Sequence, residues 1–151
     1  MAGGAVLARG VRGADEVSEA LRLELPFPPK GLSPNSRLGW RAKAKLVGQY
    51  RESCGWAGKV DMTVQQGGNT LDELDPLDPP VEATVTFVVP DRRRRDLDNL
   101  LAMLKPAWDG LCDAQVLAGD DYTQFKGVPG VGGWVVVDKG RSYVIVELSS
   151  V

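Results

Sequence analysis

The stretch VEATVTFVVP at residues 81–90 constrains the fold more than any other part of the chain. It is β-branched, alternating and closed by Pro90, which cannot donate to a sheet ladder, so it predicts a β-strand. The next residues, DRRRRDLDNLL, lead into a different periodicity. Leu97, Leu100, Leu101, Leu104, Trp108 and Leu111 recur at helical spacing, and Asp96 or Asp98 can cap the helix that they predict. Pro106 falls inside this pattern and is expected to kink that helix.

The flanking elements are weaker. ALRLELPFPP at 20–29 alternates Leu21, Leu23 and Leu25 with polar neighbours and stops at prolines, which predicts a strand with one buried face. A helix with a basic face is expected from Arg37 to about Cys54. Residues 58–80, rich in Gly, Asp and Pro, are expected to be loop with at most one helical turn. A short strand is expected at 121–127, lying antiparallel beside 81–89. GWVVVD and RSYVIVEL are expected to pair as a hairpin across Lys139–Gly140. The order β-α-β-α-β-β predicts an α+β single domain, one mixed sheet with helices packed against it. Residues 1–19 read as a mobile leader and 20–151 as the folded domain. The four tryptophans, Trp40, Trp56, Trp108 and Trp134, are expected in the core or at an interface, and only Trp40 sits within basic sequence.

Composition then narrows the chemistry. The chain has 151 residues and no histidine, which removes Ser-His-Asp and Cys-His catalysis and the usual zinc and non-haem iron sites. Cys54 and Cys112 lack metal-ligand spacing and are expected as free thiols. Metal chemistry would therefore rest on carboxylates, which favour Mg²⁺, with Mn²⁺ able to substitute. No apolar run approaches a membrane span, and a cytoplasmic location is expected, in a bacterial or phage-infected cell.

The net charge of −2 does not by itself point to nucleic acid, but its distribution does. RLGWRAKAKLVGQYR at 37–51 holds five basic residues and no acidic one, and four arginines follow at 92–95. In an extended segment at most two of those four can face one ligand. Asp96 and Asp98 have an ordinary explanation as helix caps. A second acidic pair, Asp120–Asp121, follows the same helix. If the expected strand at 121–127 returned one of that pair to the Asp96/Asp98 end, three carboxylates would converge on a divalent cation beside phosphate-binding arginines. That is a layout for metal-assisted phosphodiester hydrolysis. The glycine-rich GVPGVGG at 127–133 lacks the Gly-Lys-Ser/Thr of a phosphate loop.

LPFPP, then LSPNSRLGWRAKAK, then PDRRRRDLDNLLAMLKPAWDGLCDAQVLAGDD, taken in that order over roughly residues 20–126, resembles the RusA family of Holliday junction resolvases and their phage-borne relatives. The resemblance implies a homodimeric, Mg²⁺-dependent endonuclease that binds four-way junction DNA and nicks two opposing strands. It implies Asp96, Asp98 and Asp121 as catalytic metal ligands, and Asn99 as part of the same motif. Lys105 would stabilise the phosphorane or leaving oxygen, although the family lysine aligns with Ala102, one turn earlier. Arg93, Arg95, Arg37, Arg41, Lys43 and Lys45 would make phosphate contacts. Two further departures are Gln115 in place of a glycine and Gly39 in place of a histidine. The competing expectation is a catalytically silent junction-binding or assembly module in which the carboxylates serve only as caps.

Overall fold

The structure, a computed structural model, describes residues 20–67, 76–121, 123–130 and 134–150. The N-terminal leader proposed at 1–19 lies outside them. The fold is α+β: one mixed four-stranded sheet in the order β1-β4-β2-β3, with helices packed on it. β1 (Leu21–Pro26) shows strict alternation, with Leu21, Leu23 and Leu25 buried, while Arg22 and Glu24 pair on the exposed face at 2.6 Å. β2 (Val81–Val89) is central and is buried at every residue from Val85 onward. β4 (Tyr143–Ser150) lies antiparallel between β1 and β2, and β3 (Trp134–Val137) adds to the outer edge of β2 in parallel.

The expected hairpin is therefore corrected. Lys139–Gly140 does form a turn, closed by the Arg141 N–H on the Asp138 carbonyl at 3.0 Å. That turn carries the chain across the end of β2, where Asp138 N bonds Val89 O and Gly140 N bonds Pro90 O. β4 then pairs on the other side of β2 from β3.

α1 (Trp40–Gln65) runs well beyond Cys54, into sequence expected to be loop. Gly55 and Gly58 of α1 are packing positions rather than helix ends, whereas Gly48 faces open space. A Cβ on Gly58 would meet Leu111 Cδ2 at 2.3 Å, and one on Gly110 would lie 2.0 Å from the Arg51 carbonyl oxygen. Close approach of the two helices outweighs the roughly 1 kcal/mol that a helical glycine costs. Tyr50 fastens α1 to the sheet by donating its hydroxyl to Pro26 O at 2.7 Å.

The helix expected to kink at Pro106 instead breaks into α2 (Leu97–Ala102) and α3 (Lys105–Asp113). Pro106 stands in the first turn of α3, where a missing N–H costs nothing. Trp108 is buried and packs edge-on against Phe125, with ring centroids 5.8 Å apart. Trp40, Trp56 and Trp134 are exposed, so of the two expected placements the core one holds for Trp108 only. Cys54 and Cys112 are free thiols, and burial pushes Cys54 up to about 12. No helix among the described residues is long and apolar enough to cross a membrane.

Candidate functional site

A cleft of about 520 Å³ lies between two segments far apart in sequence. One wall is the 30–36 loop, with Lys30, Ser33, Asn35 and Ser36. The other is the segment after β2, with Arg93, Arg95, Asp96 and Asn99. The loop is held by Lys43, whose Nζ donates to Ser33 O at 3.4 Å.

Asp91 organises the arginine run. Its Oδ1 accepts from Arg93 N at 3.0 Å and from Arg95 Nη2 at 2.9 Å, and Arg93 Nε lies 3.2 Å away. Arg95 Nη1 in turn donates to the Asp91 and Arg93 carbonyls at 3.1 and 2.9 Å. The Arg93 N–H, then the Arg95 guanidinium, pull the Asp91 carboxyl down to about 2. Arg93 and Arg95 thus face one side, as extended alternation requires, but both are already paired. Arg92 and Arg94 are exposed and form no ion pair with a described residue. From the sequence, Asp91 is a candidate partner for whichever arginines turn away from a ligand; its partners are instead Arg93 and Arg95, the two assigned to phosphate.

Asp96 is the N-cap of α2: its Oδ1 accepts from Asp98 N at 3.0 Å and Asn99 N at 3.4 Å. Asp98, in the first turn, is exposed, and its carboxylate has no hydrogen-bonding or ionic partner among the described residues. Asp121 is placed differently. Its Oδ1 accepts from the Thr123 N–H at 2.8 Å and from the Thr123 hydroxyl, and both bonds lower its pKa, the hydroxyl most.

The expected antiparallel strand at 121–127 is absent from the described residues, which hold a single parallel bridge between Val81 and Phe125. The reason is topological. β2 and β3 are parallel, so α2 and α3 must carry the chain back to the start of β2 before β3 can begin. Asp121 accordingly precedes residues that pair with the Val81 end of β2, whereas Asp96 follows its Val89 end. Among the described residues no three acidic or cysteine side chains are grouped to hold a metal ion.

Lys105 opens α3 and bridges Asp109, at 2.7 Å, and Asp120. Its pKa is raised by Asp109 first and by Asp120 next, and that of Asp120 is lowered chiefly by the Lys105 bond. Asp109 was missed by sequence reasoning, although its i, i+4 spacing from Lys105 was a usable signal. Arg37, Arg41, Lys43 and Lys45 lie around the start of α1, and none forms an ion pair with a described residue.

No family model matches the chain. A protein of Xylella fastidiosa (strain Temecula1 / ATCC 700964), named only as an uncharacterized protein, is 36% identical over 98 residues, or 65% of this chain. The chain spans 60% of that relative's length.

Proposed function

We propose that this chain is a Mg²⁺-dependent, structure-selective endodeoxyribonuclease that acts as a homodimer and resolves four-way DNA junctions. The observation that carries the reading is the shared cleft. It brings LSPNSR and DRRRRDLDN, two of the segments that carry the family resemblance, to face one another, with Arg93 and Arg95 in its wall and the Asp96 carboxylate among its lining.

The donor chemistry fits a hard divalent cation, which Mg²⁺-binding proteins often hold through one or two carboxylates plus substrate phosphate and water. Among the described residues Asp96 Oδ2 has no hydrogen-bonding partner while Oδ1 caps α2, and the Asp98 carboxylate has none. These two would hold the ion, and Asp121 would contribute only from a position unlike the one described. When bound, the ion lowers the pKa of a coordinated water and neutralises charge on the scissile phosphate. Arg93 and Arg95 bind phosphate oxygens with their donors pre-oriented by Asp91, and Asn99 lines the same cleft as a neutral donor. For Lys105 to steady the leaving oxygen, it must exchange Asp109 or Asp120 for phosphate.

Homodimerisation is supported by β3. Trp134, Val135, Val136 and Val137 form an edge strand exposed on both faces, with no charge to repel a second copy. A two-fold pairing of such edges would give the two equivalent sites that symmetric nicking needs.

A second reading has its own support: Asp96 and Asp121 both already perform local structural work, as a silent binding module would require. Asp98→Asn separates the two, because the Asp98 carboxylate has no partner among the described residues. With a synthetic four-way junction, the endonuclease reading expects nicking that needs Mg²⁺ and stops in EDTA. In Asp98→Asn it expects cleavage reduced roughly 10²–10⁴-fold, while binding in EDTA is equal or tighter because a repelling charge is gone. Undiminished cleavage in that variant, or cleavage surviving EDTA, would overturn the proposal.

A further inference from the structure

Trp40 has no role in the reading above. It opens α1 with 76% of its surface exposed, the most exposed of the large hydrophobic residues described. The Arg41 guanidinium lies 5.1 Å from its ring centroid, which limits the indole's freedom while leaving most of it open to solvent. Arg37, Arg41, Lys43 and Lys45 flank it along the chain, and the sequence from 37 to 51 contains no acidic residue. Of the other described cations, Arg22, Arg51, Arg93, Arg95, Lys105 and Arg141 sit in ion pairs, while Lys30, Lys59, Arg92, Arg94, Lys126 and Lys139 form none with a described residue. An exposed indole inside an uncompensated positive patch calls for a partner with negative charge and a flat apolar face.

We infer that Trp40 is a stacking platform for an unpaired DNA base, and that it lets the α1 patch prefer open or single-stranded segments over continuous duplex. The patch by itself cannot make that distinction, because phosphates are present in every DNA. A base face can. Within a duplex each base is covered by its neighbours, whereas an unstacked nucleotide offers a π-face of any sequence to an aromatic side chain. Helical spacing puts Arg41 and Lys45 to one side of Trp40 and Lys43 to the other, so a strand lying across the indole keeps cations along its backbone. This deepens the endonuclease reading, from which it takes DNA as the ligand, by naming what distinguishes a junction's open branch point from its arms.

The test measures binding in EDTA of wild type, Trp40→Ala and Trp40→Phe by fluorescence anisotropy. The probes are a labelled oligothymidylate, a blunt duplex and a four-way junction. Trp40→Ala is expected to weaken binding to oligothymidylate by roughly 5- to 100-fold and to weaken the junction in the same direction. Duplex affinity should change by less than about twofold, since no phosphate contact is lost. The slope of log affinity against log salt should stay constant, and Trp40→Phe should restore most of the loss. Unchanged oligothymidylate binding in Trp40→Ala, equal weakening of all three probes, or wild type that binds none of them would overturn the inference. So would a variant whose only defect is a shift from dimer to monomer in light scattering, because Trp40 would then be an interface residue. Mg²⁺-dependent nicking by wild type is followed separately: junction cleavage with no Trp40 effect removes this inference alone, and Trp40-dependent binding without cleavage removes the nuclease reading alone.

Discussion

The end of α3 carries an avoidable strain that a single substitution should release. Gln115 N donates to Cys112 O at 3.1 Å and Val116 N to Leu111 O at 2.9 Å, the paired bonds of a Schellman cap. That motif puts its first residue past the cap in the left-handed region, and Gln115 has φ +65°. It is the only non-glycine residue with positive φ among those described. An L-residue in this region costs about 1–2 kcal/mol through contact of Cβ with the backbone. Glycine avoids that cost but gives up about 0.5–1 kcal/mol more chain entropy on folding. The Gln115 side chain is exposed and makes no hydrogen bond with a described residue, so nothing else is lost. Gln115→Gly should therefore stabilise the protein by about 0.5–1 kcal/mol, a rise in Tm of about 1–4 °C. Gln115→Val, β-branched in the same conformation, should destabilise by about 1 kcal/mol or more. Urea denaturation of the three proteins checks both signs. A Gln115→Gly variant less stable than wild type would refute the strain argument and assign the glutamine side chain a contact of its own.

Two further outcomes follow from the geometry. Asp91 has its pKa depressed to about 2, so the order that it imposes on Arg93 and Arg95 should be complete above the ordinary carboxylate value near 3.8 and lost as pH falls through about 2. Carboxyl NMR titration should show that midpoint, moving part of the way back up in Arg95→Ala because the Arg93 N–H remains; an Asp91 midpoint at the ordinary value would contradict the network. Val136→Lys puts a charge on the exposed β3 edge and should shift the wild-type assembly from about twice the 16.2 kDa chain mass to a single chain in light scattering. Dimers that persist in Val136→Lys would place the interface elsewhere.

Local pattern carried the reading as far as local forces decide structure. The alternation in β1 and the β-branched run in β2 were legible because one or both faces of each strand are buried, and apolar periodicity reports burial directly. The length of α1 was not legible, because Gly55 and Gly58 read as breakers when their function is to admit α3. Strand partners were not legible either. Lys139–Gly140 is a turn in sequence and in structure, yet which side of β2 receives β4 is decided by burial of Val144, Val146 and Leu148 over the whole sheet. Residue type alone did not tell which tryptophans enter the core: it predicts what burial would gain, but position on helix or strand decides whether it occurs.

The same division runs through the candidate site. DLDN at the head of an apolar helical repeat made a cap at Asp96 readable, and the structure places it there. The convergence of Asp121 with Asp96 and Asp98 depended on chain direction between two distant segments, which no spacing rule supplies. Parallel β2–β3 pairing reverses that direction and leaves Asp121 bonded to Thr123. The consequence is an asymmetry among the three carboxylates. Asp96 holds one oxygen to the helix and has the other to spare, Asp121 is engaged in a turn, and only the Asp98 carboxylate has no partner among the described residues. An exposed carboxylate with no partner, beside a helix N-terminus already capped by Asp96, contributes at most about 0.3–1 kcal/mol to folding through the helix dipole. Stability therefore accounts for Asp96 and Asp121 where they stand but gives Asp98 little to do, and it is on Asp98 that the distinction between a catalyst and a silent DNA-binding module turns.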